Sequence, residues 1–209
     1  MQADRERRAM VRRLERRGIT DERVLTAMRE LPRERFVPAP LAMDAYQDGP
    51  LGIGLGQTIS APWIVAFSVA ELHAGPDAQV LEVGTGSGYG AAVLARCHQS
   101  VVTVERHPEL AERAAAVLAE LGLDNVEVRV GDGAAGAPDR APFDGIVVTA
   151  MAHRRPPGAL LDQLAPDGTL ICPVGRWSPS HGTLRRYRGG REEKLVPVLF
   201  VPLVTPARD

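Results

Sequence analysis

The sequence predicts an α/β protein with a mostly parallel, doubly wound sheet and a helical extension at its N-terminus. Three observations carry this expectation. From residue 78 onward, short apolar strands alternate with amphipathic helical segments. Those strands are nearly continuous apolar runs, the mark of a parallel sheet covered on both faces. The first 45 residues carry helical periodicity.

In that opening stretch, Met10, Val11 and Leu14 share one helical face, and Val24, Leu25, Met28 and Leu31 share another. Gly18 separates the two segments, and Asp21 is placed to cap the second. Residues 46–62 hold four glycines and two prolines, which excludes a regular helix and predicts a long loop. Long glycine-rich loops inside a compact chain are commonly functional. Pro62 suits the first turn of a helix carrying Ile64, Val65, Phe67, Ser68, Val69 and Leu72. Strands are then expected at 79–83, 100–105, 126–130, 143–149 and 169–174, with helices at 89–97, 108–121 and 157–164. Residues 184–188 and 195–201 read as a closing strand pair. The division expected is an extension over 1–45 and one structural unit over 46–209.

Composition narrows the function classes. Formal net charge is −1, so the chain as a whole is not drawn to nucleic acid or to a membrane surface. Aromatic residues are 4% of the chain, too few for a base-stacking platform. Seven arginines against three acids in the first 20 residues read as a solvated amphipathic helix in preference to an RNA-binding face. Cys97 and Cys172 sit in apolar stretches without a CxxC, and the five histidines show no metal spacing, so no metal is expected. With no apolar leader segment and no membrane-spanning run, the expectation is a monomer in the cytoplasm.

The chemistry gathers at three strand ends. Strand 79–83 runs through Glu82 into Gly84-Thr85-Gly86-Ser87-Gly88, and a helix follows. Glycines allow a sharp turn and close approach to a ligand, and the helix start offers free N–H groups. A dinucleotide fingerprint would place a third small residue where this chain has Tyr89, whose bulk is expected to crowd a pyrophosphate. A cofactor without phosphate, such as S-adenosylmethionine, suits the turn better. The next strand ends in Glu105, placed to accept from ribose hydroxyls, and the one after it ends in Gly131-Asp132-Gly133, where an acid can accept from an adenine amino group. Together these features predict a Rossmann-like S-adenosylmethionine-dependent methyltransferase fold.

Over nearly its whole length the chain resembles the protein-L-isoaspartate O-methyltransferase family. The resemblance rests on Pro32-Arg33-Glu34-Arg35-Phe36-Val37-Pro38, on Gly56-Gln57-Thr58-Ile59-Ser60-Ala61-Pro62, on the turn from Glu82 to Tyr89, and on Gly131-Asp132-Gly133, Ala141-Pro142-Phe143-Asp144, Leu161-Asp162-Gln163-Leu164, Pro173-Val174-Gly175 and Phe200-Val201-Pro202-Leu203. It implies an enzyme that methylates the free α-carboxylate of L-isoaspartyl residues in damaged proteins or peptides. S-adenosylmethionine would be the donor and S-adenosylhomocysteine the product, with no metal.

The resemblance makes Ser60 the active-site serine, with Thr58, Ile59 and Ser60 closing over the methyl donor. Glu82, Gly84, Thr85, Gly86, Ser87 and Gly88 would line the donor. Glu105 and Arg106 would hold ribose and flank adenine, and Asp132 and Gly133 would hold adenine. Substrate contacts are expected from Ser60, Ala61, Thr149, Ala150, Met151 and Val204. The chain departs from the family pattern over residues 149–157: Met151 stands for a small residue, His153 stands where proline is common, and Arg154-Arg155 follow. This leaves a second reading open, methylation of aspartate in a dedicated peptide to give a succinimide. A methyltransferase that grips a flipped base would need an Asn/Asp-Pro-Pro-aromatic motif, which Thr149-Ala150-Met151-Ala152 does not supply.

Overall fold

A computed structural model of the chain describes residues 2–176 and 181–204. Helix α1 (Gln2–Arg16) buries Met10, Val11 and Leu14, the face its periodicity predicts. Helix α2 (Glu22–Glu30) starts where expected: the Asp21 carboxylate accepts from the Arg23 and Val24 N–H groups at 2.9 and 3.4 Å. Two tight 3-10 turns, Arg33–Phe36 and Ala39–Asp44, lead away from α2. Several of the N-terminal arginines are engaged within the chain. Arg7 pairs with Asp4, Arg17 with Asp48, and Arg13 donates to the Tyr46 carbonyl.

Residues 46–62 hold more structure than a loop. Strands β1 (Leu51–Gly54) and β2 (Gln57–Ile59) form an antiparallel hairpin. Its two tip residues, Leu55 and Gly56, have φ of +54° and +70°. Positive φ at both positions is what the tightest hairpins require, and Asn-Gly is the usual signal for it. Leu-Gly conceals it. Helix α3 (Pro62–Ala70) then begins on Pro62.

The alternating part of the chain comprises β3 (Gln79–Val83), α4 (Tyr89–Cys97), β4 (Ser100–Glu105), α5 (Pro108–Glu120), β5 (Val126–Val130), β6 (Phe143–Val148), β7 (Ala152–His153), α6 (Gly158–Asp162), β8 (Leu164–Gly175), β9 (His181–Arg188) and β10 (Arg191–Leu199). The main sheet runs β10-β9-β8-β6-β3-β4-β5, with the two-residue β7 also paired to β8. The pairs among β5, β4, β3, β6 and β8 are parallel, and β8-β9 and β9-β10 are antiparallel. Strand β8 begins five residues before the expected 169, running through Pro166, Asp167 and Gly168 where apolar patterning gives no signal.

Alternate strand residues face two cores. Val80, Val101, Val147 and Ile171 pack with α1, α2, α3 and α4, while Leu81, Val102, Ile146 and Leu170 pack on the opposite face with Leu160 of α6. This double burial is why the strands read as unbroken apolar runs. The N-terminal helices bury their apolar faces in the same core as α3 and α4. Chain order reverses between β3 and β6, so the crevice beyond the C-terminal ends of those strands is the place where such a sheet binds ligands.

Candidate active site

Strand β3 delivers the glycine turn to that crevice. Gly84, Gly86 and Gly88 have φ of +97°, +53° and +88°, a region that side chains with a Cβ avoid. The turn is tied from both sides. The Gly84 N–H donates to the Val104 carbonyl at 2.8 Å, and the Thr149 N–H donates to the Val83 carbonyl at 2.9 Å. The Thr149 hydroxyl donates to the carbonyls of Val83 and Gly84, at 3.0 and 2.7 Å.

Two buried carboxylates meet the turn. Glu105, at the end of β4, accepts from the Gly86 N–H at 2.8 Å and from the His107 N–H at 3.0 Å, one bond on each oxygen. Lone-pair capacity remains on both oxygens for ligand hydroxyls. Glu82 is 1% exposed. The Thr103 hydroxyl donates to it at 2.6 Å and lies 2.6 Å from that of Thr85. Burial drives the Glu82 carboxyl up to about 8; the Thr103 hydrogen bond opposes this and the neighbouring Glu105 charge adds to it.

A cavity of about 230 Å³ opens above the turn. Its walls bring together Thr58, Ile59 and Ser60 from the hairpin segment, Glu82, Gly84, Thr85, Gly86 and Ser87 from the turn, Glu105 and Arg106 from the end of β4, Gly133, and Thr149, Ala150 and Val204. These residues were all expected there. The cavity also takes Gly56, Gln57, Val65, Val83, Gly90, Val104 and the segment Val201-Pro202-Leu203, which lie outside the expected set. The last of these could have been found, because Phe200 to Leu203 is a family-like segment directly before Val204.

Four expected residues stand back from the cavity walls. Gly88 is the N-cap of α4, and a Cβ there would lie 3.0 Å from that of Ala114, so helix packing adds to the demand for glycine that its φ already makes. Asp132 turns one oxygen back to the Ala134 N–H at 2.9 Å, capping a 3-10 turn. Ala61 caps α3. Met151 is fully buried, its sulfur close to Gly175 and Gly182. Its backbone bonds to Val201 and Leu203, so it anchors the wall from behind. The following Ala152-His153 pair is built into the sheet as β7, and Arg154 and Arg155 are exposed.

Tyr89 corrects the sequence argument. Its ring does not crowd the ligand side of the turn. It is buried beneath the N-terminal extension, edge-on to Phe36 at 5.4 Å and under the Arg33 guanidinium at 4.6 Å. The case against a pyrophosphate rests instead on charge. The Glu82 carboxyl on the wall keeps its proton at neutral pH, and the cavity's one cationic side chain among the described residues, Arg106, is exposed. Ribose hydroxyls fit such walls, and little on them would neutralise a dianionic linker. Among the described residues no cluster of His, Cys, Asp or Glu could hold a metal ion.

The family model for protein-L-isoaspartate(D-aspartate) O-methyltransferase matches residues 5–208. A protein-L-isoaspartate O-methyltransferase of Pelotomaculum thermopropionicum is 51% identical over 203 residues, 95% of this chain and 88% of the relative. Its counterpart in Gloeobacter violaceus is 53% identical over 190 residues, 90% of this chain and 92% of the relative. A Plasmodium falciparum structure described as a protein-L-isoaspartate O-methyltransferase in complex with S-adenosyl-L-homocysteine superposes with a TM-score of 0.81 at 27% identity, covering 94% of this chain and 97% of that one. Another solved protein-L-isoaspartate O-methyltransferase gives a TM-score of 0.85 at 27% identity over 95% of this chain, which spans 66% of that structure's length. The chain thus belongs to the protein-L-isoaspartate(D-aspartate) O-methyltransferase family.

Proposed function

We propose that the protein transfers a methyl group from S-adenosylmethionine to the free α-carboxylate of L-isoaspartyl residues in damaged proteins and peptides. The observation that carries this is the convergence of the glycine turn, Glu105 and the Ser60 segment on one cavity. When bound, S-adenosylmethionine supplies a methyl group activated by a sulfonium centre. Gly84, Thr85, Gly86 and Ser87 would follow its length, Glu105 would take the ribose hydroxyls with Arg106 alongside, and Gly133 with Asp132 would meet the adenine. Thr58, Ile59 and Ser60 would cover the donor.

A carboxylate with an ordinary value of about 4 is already ionised at neutral pH and needs no base to attack. The work left to the protein is to orient the acceptor and exclude water. Ser60, Ala150 and Val204 line the cavity, and in this reading the Ser60 hydroxyl would orient the acceptor while the other two border its approach. Val204 is 46% exposed, as a wall open to an incoming peptide should be.

The second reading, aspartate methylation in one dedicated peptide, drew on the altered 149–157 segment. It is not favoured. Met151 is turned away from the cavity, and Ala152-His153 is a sheet strand, so the departure from the family pattern lies mostly behind the wall.

A monomer in the cytoplasm completes this reading, in keeping with two cysteines that are both buried and unpaired. None of the helices, among the described residues, is long and apolar enough to cross a membrane. The test is incubation with labelled S-adenosylmethionine and matched isoaspartyl and aspartyl peptides. Label should enter the isoaspartyl peptide alone; equal transfer to both, or none to either, sinks the proposal.

A further inference from the structure

Arg33 is fully buried, yet no carboxylate pairs with it among the described residues. Its Nε donates to the Ala45 carbonyl at 2.7 Å, and its Nη2 donates to the Ser60 carbonyl at 2.7 Å. The guanidinium carbon lies over the Tyr89 ring, 4.6 Å from its centroid. Burying a charge is costly, and a well-packed apolar side chain often serves stability as well. What arginine adds is a rigid planar fork with fixed donor directions and a face that stacks on aromatic rings.

Those directions join the two halves of the site. Tyr89 is the first residue of α4, directly after the glycine turn. The Ser60 carbonyl lies in the peptide plane that also contains the Ser60 Cα, so holding it fixes where that Cα stands beside the turn. One guanidinium therefore sets the spacing between the donor turn and the acceptor-side hydroxyl. The Ala45 bond anchors it to the N-terminal extension. We infer that Arg33 is a positioning residue for methyl transfer, clamping the Ser60 segment against the head of α4. This rests on the reaction proposed above for its activity readouts, and on the geometry alone for its structural one.

The test compares wild type with Arg33→Lys and Arg33→Met. Four quantities are read: kcat and KM for an isoaspartyl peptide, S-adenosylhomocysteine affinity by calorimetry, melting temperature, and amide hydrogen exchange across residues 57–61. Lysine keeps the charge and loses the fork. Both variants should lose about 10–100-fold in kcat while binding S-adenosylhomocysteine within about threefold of wild type. Exchange across 57–61 should quicken by roughly tenfold with the rest of the chain still protected.

Unchanged exchange at 57–61 overturns the clamp whatever the activity does. So does full activity in Arg33→Lys, or a loss of product affinity in step with kcat. A wild-type enzyme inactive on the isoaspartyl peptide would overturn the proposed reaction instead, leaving the exchange result to judge the clamp. If neither Arg33 variant folds, Tyr89→Phe and Tyr89→Leu decide it. Phenylalanine keeps the ring face and should keep the wild-type kcat and exchange pattern, and leucine should lose both; identical behaviour of the two overturns the inference.

Discussion

The hydroxyl of Thr149 lies where a side chain on Gly84 would have to stand: a Cβ built there comes within 2.3 Å of Thr149 Oγ1. The two residues end neighbouring parallel strands, β3 and β6, at the point where chain order reverses. The same hydroxyl donates to the Gly84 carbonyl at 2.7 Å, so it both closes the crevice floor and forbids a larger neighbour.

Gly84→Ala should therefore fail for two reasons, the φ of +97° and the collision. A left-handed conformation costs about 1–2 kcal/mol for a residue with a Cβ. S-adenosylhomocysteine affinity should fall by about 100-fold or more, since the turn must move to admit the methyl group. Adding Thr149→Ser removes a methyl group but leaves the obstructing oxygen, so it should not rescue. Calorimetry on both variants checks this, and near-normal affinity in Gly84→Ala would show that the turn is more compliant than its hydrogen bonds imply.

Ser60→Ala separates the donor side from the acceptor side. The Ser60 carbonyl keeps its bond to Arg33, so the segment should hold its course. Loss of one orienting hydroxyl should lower kcat by about 100-fold, at the low end of what a preorganised donor contributes. Product affinity should stay within about threefold, because the turn and Glu105 are untouched. A fall in S-adenosylhomocysteine affinity with kcat preserved would place Ser60 on the donor instead.

Glu82 should make stability depend on pH. Its carboxyl stands at about 8 in the folded protein against an ordinary 4.5, so between those values the folded state binds the proton that the unfolded state has released. The stability this group contributes is complete below pH 4.5 and is lost as pH rises through about 8. Thermal unfolding of Glu82→Gln should show a flatter pH profile across this window. The difference from wild type should grow by at most about 1.4 kcal/mol per pH unit. Parallel profiles for the two proteins would mean that Glu82 is charged at neutral pH, held so by Thr103.

Much of this site was legible because its chemistry is local. Gly84, Gly86 and Gly88 carry their backbone demands in their own φ, and Glu105 ends a strand whose register its apolar pattern sets. Orientation was less legible. The bulk of Tyr89 is plain in the sequence, but nothing nearby says that its ring turns away from the ligand side toward Phe36 and Arg33, over fifty residues upstream. The β1-β2 hairpin was hidden because Leu55 occupies a position that asparagine or glycine usually announces. Asp132 and Met151 are expected in the site from their position in the chain, which does not reveal that one caps a turn and the other braces a wall.

The cavity takes one wall from residues 56–60 and another from 201–204, so about two thirds of the chain lies between them. The second wall is pinned to Met151 by backbone hydrogen bonds at 2.7 and 2.8 Å. During synthesis, the glycine turn, Glu105 and Ser60 leave the ribosome long before Val201 and Leu203 do. A nascent chain at that stage has every polar group of the site but no enclosure around it. Enclosure of the site thus waits on the docking of a segment far along the chain from the hairpin that faces it.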